Sequence, residues 1–298
     1  MNLKTDFFFD YNNKPIKIEN AYRGKACFLV LSGPSLAGYD LSLLRQPGIV
    51  TCGVNNSPKV FRPDLWVTVD NPKNFMISAW KDPRVKKFVH YGKRNKDLFD
   101  NVKWKHTSLT VGMCPNVVYW YDNQWFQHDK FMYEDTINWG NSGFRCECGY
   151  KRKDKKKEKV CPKCNKKQYG CRSVFLATIR ILSLLGFSKV FLLGCDFKME
   201  LGKKNYAWEQ DRTKSSVNNN NGTYERLNSR FDLLRPIFES ENFNVFNCYK
   251  DSGLKSFDYI PFEVALRIAL KDFPDITSEN VTGMYERQGI EEKEMKKK

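Results

Sequence analysis

The chain has 298 residues, with 50 Lys/Arg against 34 Asp/Glu for a formal net charge of +16, and 41% of its residues are hydrophobic. That is enough apolar material for one large α/β domain or two ordinary ones. No stretch reaches the ~18 apolar residues of a membrane span, and the acid-containing N-terminal region (Asp6, Asp10, Glu19) predicts no secretory signal.

The elements follow in chain order. Residues 26–31 (ACFLVL) are a continuous apolar run ending at Gly33-Pro34 and predict a buried parallel strand. Residues 41–45 predict a helical turn, 48–54 a second strand, 65–69 a third, 87–91 a fourth and 117–121 a further one. Residues 173–185 are apolar almost all round, which predicts a buried helix capped by Ser173 and stopped at Gly186. A strand at 189–193 comes next, and the asparagine run 218–221 reads as a mobile loop. An amphipathic helix over 224–240 puts Leu227, Phe231, Leu234 and Phe238 on one face. A strand at 243–248, a helix at 261–270 and a frayed polar tail complete the chain. Short apolar strands alternating with helices argue for a three-layer, mostly parallel, Rossmann-like sheet.

Parallel strands put their carboxyl ends on one edge, where ligands bind in such sheets. Three strands deliver polar residues to that edge. The first ends in Ser32-Gly33-Pro34-Ser35, whose glycine lets backbone N–H groups approach a phosphate or sugar. The second is followed by Asn55, suited to an amide contact, and the third by Asp70, suited to a ribose hydroxyl or a metal. Each also reads as a turn former. Asn141-Ser142-Gly143 precedes the buried helix, and Gly194-Cys195-Asp196 closes the strand after it, with Tyr206-Ala207-Trp208-Glu209 further on.

Between Gly143 and Ser173 lies an insertion. Cys146 and Cys148 form one pair, Cys161 and Cys164 another, and twelve residues separate the pairs, which suits a tetrahedral Zn²⁺ site of structural type. Cys171 reads as a free thiol or a substitute ligand. Segment 145–170 holds eleven Lys/Arg against three acids, a net +8, half the charge of the chain. Zinc bound by four thiolates lowers that to about +6. Lys151, Arg152, Lys153, Lys155, Lys156 and Lys157 are therefore candidate contacts to nucleic acid, or else a solvated hairpin tip. Trp120, Trp125, Phe126, Tyr133 and Trp139 are either base-stacking partners or core. Cys27, Cys52, Cys195 and Cys248 fall in apolar runs and read as buried free thiols of a cytoplasmic protein.

The ordered set of GPS loop, Asn, Asp, NSG, a helix ending in LG, a strand ending in LxGxDF and then YAW resembles a known group. It is similar to the bacterial sialyltransferases that use a CMP-activated sugar, the motility-associated glycosyltransferases and the hydroxymethylpterin-pyrophosphokinase-like proteins, members of which also occur in phages. The most specific stretch is 186–197 with Tyr206-Ala207, and the likeness spans about 26–266 without the insertion. It implies nucleotide contacts at Gly33, Pro34, Ser35, Asn55, Ser142 and Gly143, with Asp196 and Tyr206 close to the transferred group. Ser32, Asn141 and Gly194 flank these positions. The family's histidine base has no counterpart, since the chain's histidines are His90 (strand packing) and His106 and His128 (surface). The base then falls to Glu209 or Asp211, or Mg²⁺ assists through Asp70 or Asp196.

The expectation is an α/β transferase domain over 1–144 and 171–275, a zinc ribbon over 145–170 and a tail over 276–298. It would move a sugar from a nucleotide-sugar donor to an acceptor, with nucleic acid as acceptor or contact. ATP-dependent pyrophosphoryl transfer and a non-catalytic nucleic-acid-binding protein are the alternatives.

Overall fold

The apolar runs fold as strands because their alternate side chains enter two different buried layers. The computed structural model describes residues 6–123, 126–140, 146, 148, 150, 151, 153, 160–165, 172–208 and 212–271. In chain order the elements are β1 (Ala26–Val30), β2 (Val50–Val54), β3 (Leu65–Thr68), α1 (Ile77–Lys81), β4 (Lys86–His90), β5 (Asp97–Asp100), β6 (Lys105–Thr110), β7 (Val117–Trp120), β8 (Asp122–Asn123) and β9 (Ile137–Asn138). Then come α2 (Val174–Leu184), β10 (Lys189–Leu193), α3 (Lys214–Ser240), β11 (Asn244–Asn247) and α4 (Phe262–Leu270).

Seven strands make one sheet in the order β11-β10-β1-β2-β3-β4-β7, and every pairing in it is parallel. Register follows the period of two. Cys27 and Leu29 of β1, Val190 and Leu192 of β10, and Leu65 and Val67 of β3 face the layer built by α2 and α3. Phe28 and Val30 with Phe191 and Leu193 face α4 on the other side. Trp66, Val89 and Tyr119 meet α1 and the β5–β6 hairpin there. This is the three-layer α/β fold.

Helix α2 begins where the sequence predicts, with Ser173 Oγ accepting from Phe175 N–H at 3.1 Å. It stops at Gly186, whose φ of +88° is a left-handed conformation that favours glycine. Helix α3 differs from expectation: the asparagine run is not a loop but lies in its first turns. Thr213 caps the helix by accepting from Ser216 N–H, and the Asn221 amide bonds both Met199 N–H (2.8 Å) and Met199 carbonyl (2.9 Å). These tertiary bonds override the weak helix propensity of asparagine. The small elements α1, β5, β6, β8 and β9 were not predicted. No helix among the described residues is long and apolar enough to cross a membrane, and the predicted tail lies outside the described residues.

Candidate functional site

The carboxyl ends of β1, β2, β3 and β10 share one edge of the sheet, and a cavity of about 400 Å³ opens there. Its wall includes Ser32 and Gly33 after β1, Asn55 after β2, Asp70 after β3, and Gly194 and Asp196 after β10. The N-terminus of α2 contributes Arg172 and Ser173, and the segment before α3 contributes Tyr206, Trp208 and Arg212. Parallel pairing brings these loops together although up to 180 positions separate them in sequence.

Asp196 is largely buried, with 7% of its surface exposed, and it holds the GPS loop. Its Oδ2 accepts from Ser35 Oγ at 2.7 Å, and both carboxylate oxygens accept from Ser35 N–H at 3.2 and 3.3 Å. Burial nonetheless raises its pKa, with the Ser35 bonds opposing. Gly33 is what permits this approach: a Cβ there would lie 1.8 Å from Asp196 Oδ2 and 2.5 Å from the Gly194 carbonyl. Pro34 and Ser35 therefore sit behind the cavity wall, in the short turn Pro34–Gly38. Asp70 has a freer carboxylate. It accepts from Asn55 Nδ2 at 2.9 Å, and burial by the surrounding wall raises its pKa against the pull of Lys93. Asn55 is committed to this support: its Oδ1 accepts from Thr68 Oγ1 at 3.3 Å and its carbonyl from Trp66 Nε1 at 2.8 Å.

The YAW segment is tied to the same edge by Ala207 N–H donating to the Ser32 carbonyl at 2.9 Å. Tyr206 and Trp208 stack at 5.3 Å, with the Arg212 guanidinium over Tyr206 and the Lys59 ammonium over Trp208. With Arg172 and Lys198 the described residues of the wall carry several cations against two carboxylates, which favours an anionic ligand. Sequence reasoning missed Asn220, Thr223, Tyr224 and Leu227, which line the cavity from α3. Their spacing is that of one helical face, a signal hidden by reading the asparagine run as a loop. Burial raises the Tyr224 hydroxyl pKa strongly.

Asn141, Ser142, Gly143, Glu209 and Asp211 lie outside the described residues. The ends of the insertion are held together: Gly140 bridges Arg172, and Ser173 N–H donates to the Trp139 carbonyl at 2.8 Å. Arg172, at one of these ends, also lines the cavity. The insertion's four cysteine sulfurs lie within 4.8 Å of one another, placed to hold a metal ion. Sγ–Sγ distances are 3.5 Å for Cys146–Cys164 and for Cys148–Cys161, close to the ~3.8 Å that tetrahedral Zn–S bonds of ~2.3 Å impose. At Cys161 burial opposes ionisation, yet the N–H groups of Cys164 and Lys163 outweigh it, and the thiol comes down to about 7. Lys151 and Lys153 are exposed, whereas Arg152, Lys155, Lys156 and Lys157 lie outside the described residues.

The aromatic candidates near the site are mostly core. Trp120 and Phe126 are buried, Tyr133 is exposed but donates to Glu241 at 2.7 Å, and Trp125 lies outside the described residues. His90 packs from a strand as read, edge-on to Trp120 at 5.5 Å, and it is a hydrogen-bonding residue as well. Its Nδ1 accepts from Gly92 N–H at 3.1 Å, so Nε2 carries the proton that Asp122 Oδ1 accepts at 2.7 Å. His106 and His128 are exposed, as read. No family model, curated protein or solved structure matches this chain.

Proposed function

We propose that this chain is a transferase that binds a nucleotide-activated donor, a nucleotide sugar, in the cavity at the carboxyl edge of the sheet and passes the sugar to a hydroxyl carried by nucleic acid. The observation that carries this reading is the convergence of Gly33, Asp70, Asp196 and Tyr206 with Arg172 and Arg212 on one 400 Å³ cavity beside a basic insertion.

Asp70 is the base, because its carboxylate is open to the cavity and its raised pKa suits proton uptake. It takes the acceptor proton, the acceptor oxygen bonds to the anomeric carbon, and the bond from that carbon to the donor phosphate breaks. The leaving phosphate keeps the electron pair, and Arg172 with the N-terminus of α2 stabilises its charge. Asp196 is a positioning residue that fixes the GPS loop against the donor. The cysteine set holds Zn²⁺, which folds the ribbon and leaves no open position for substrate. The ribbon lysines hold phosphates of the acceptor strand.

A thermal-shift panel tests this. Nucleotide sugars, ATP and ATP with Mg²⁺ are each added to zinc-loaded protein; one nucleotide sugar is expected to raise Tm, and Asp70→Asn to retain that shift while losing transfer. A shift with Mg²⁺-ATP alone, with AMP release, converts the reading to pyrophosphoryl transfer. No shift with any of them ends it. Replacing 145–170 by a short Gly-Ser link is expected to weaken DNA binding and flatten its salt dependence; an unchanged salt slope removes the ribbon from the interface.

A further inference from the structure

Lys87, Arg180 and Arg230 are the buried cations among the described residues, and the first two are treated differently. Lys87 is fully buried, and its ammonium donates to the carbonyls of Asp82 (2.7 Å), Val85 (2.8 Å) and Pro115 (2.9 Å), so all three of its protons are used. Arg180, on α2, is 1% exposed, and its single hydrogen bond among the described residues runs from Nη2 to the Glu134 carbonyl at 3.3 Å. Its Nε has no partner among the described residues, and its guanidinium lies over the Phe7 ring at 5.3 Å. An arginine has five N–H donors, and although the Glu134 and Glu241 carboxylates favour the charge, buried donors without acceptors are costly.

The same guanidinium lines a cavity of about 330 Å³ at the amino ends of β1, β10 and β11, the edge opposite the cavity described above. Arg23, Ser183, Ser188 and Asn242 share that wall. Two features of the wall, and the Glu134 carboxylate beside Arg180, disfavour an anion, and each is blunted; Glu134 accepts from Asn138 Nδ2 at 3.2 Å. The carbonyl end of α2 is capped, with Asn20 N–H donating to Leu184, Tyr22 N–H to Leu185 and Gly24 N–H to Gly186. The Glu241 carboxylate is engaged by Tyr133. We infer that this is a second ligand site, in which Arg180, helped by Arg23, binds a small oxyanion: a phosphate or a carboxylate head of the size of the cavity. The missing acceptors of Arg180 are those the ligand supplies.

The inference is independent of the proposed transferase activity, and the test keeps the two sites apart. Inorganic phosphate, and separately acetate, is titrated at constant ionic strength against the full-length protein, with binding followed by calorimetry and Tm. The wild type is expected to bind one of them and to gain a few degrees in Tm. Arg180→Met is expected to lose at least about tenfold in affinity, the loss of a charge-assisted contact, without loss of stability in the ligand-free state. Arg172→Met, altered in the other cavity, keeps the response. Ser183→Glu places a carboxylate in the cavity and is expected to raise Tm without ligand while abolishing the response. Phosphate and acetate both failing to bind wild type, or a full response surviving in Arg180→Met or, should that variant not fold, in Ser183→Glu, overturns the proposal.

Discussion

The same residue type does opposite chemistry in the sheet and in the ribbon. Cys27, Cys52, Cys195 and Cys248 are buried at the strands, where burial raises every one of their thiols. They behave as small hydrophobes within cores of large apolar residues. In the insertion Cys146 and Cys161 are buried too, but among the described residues the cluster around them contains only Cys148, Cys164 and Tyr150. Among the described residues of the insertion no large apolar side chains surround the sulfurs, so a metal held by them is the expected source of order. The sheet stands on packing; the four cysteines of the insertion are placed for coordination.

The sharpest way to break that contrast is to remove the metal. Structural zinc contributes about 10–16 kcal/mol of apparent binding energy in small zinc modules, so Cys161→Ser is expected to abolish stoichiometric zinc and unfold the ribbon. Thiol alkylation reads the outcome: chelation or Cys161→Ser exposes the ribbon cysteines while the strand cysteines stay unreactive. Strand thiols reacting in step with the ribbon would show one cooperative unit instead of two.

On the sheet side, Phe231 is fully buried and touches the rings of Phe175 and Phe257 at 4.9 and 5.1 Å. Phe231→Ala is expected to cost about 3–5 kcal/mol in urea unfolding, by the same amount with and without chelator. A loss that depends on metal would couple the two regions. Gly33→Ala is smaller and local. Its Cβ must displace the Asp196 carboxylate or the Gly194 carbonyl, an overpacking that costs about 1–3 kcal/mol. Zinc content should be unchanged, and any nucleotide-induced Tm shift should disappear.

Legibility in the sequence follows from how local each cause is. Strands β1, β2, β3 and β10 announced themselves because a parallel strand buried on both faces must be apolar without interruption. Ser173 and Gly186 marked the ends of α2 because caps act within one turn. The loop residues Gly33, Asn55, Asp70 and Asp196 could be assigned to one edge from topology alone. What topology could not assign was their division of labour. That Asp196 spends its oxygens on Ser35, and that Asn55 supports Asp70, are contacts over 161 and 15 positions that only the packed structure fixes. The start of α3 was hidden for the same reason: Asn221 is helical because Met199 holds it. Arg180 was unremarkable in sequence, since an arginine inside an apolar helix looks like an interruption until its surroundings are seen.

Alkaline pH separates the two kinds of cysteine with the smallest effect. The Cys248 thiol is pushed up to about 12 by burial, with Glu263 adding to it, against an ordinary value of 9.0. A raised folded-state value means that the unfolded chain gives up this proton first. The contribution to stability is full below pH 9.0 and is lost as the pH rises towards about 12. One such proton changes the unfolding free energy by at most about 1.4 kcal/mol per pH unit. Cys248→Ala should therefore show a shallower fall than the wild type between those limits, read as the difference of two urea-unfolding series. Cys161, already down to about 7, contributes no such fall above pH 9. Parallel curves for wild type and Cys248→Ala would mean that the strand thiol ionises as easily as one in water, and the distinction between core and ligand cysteines would fail on the sheet side.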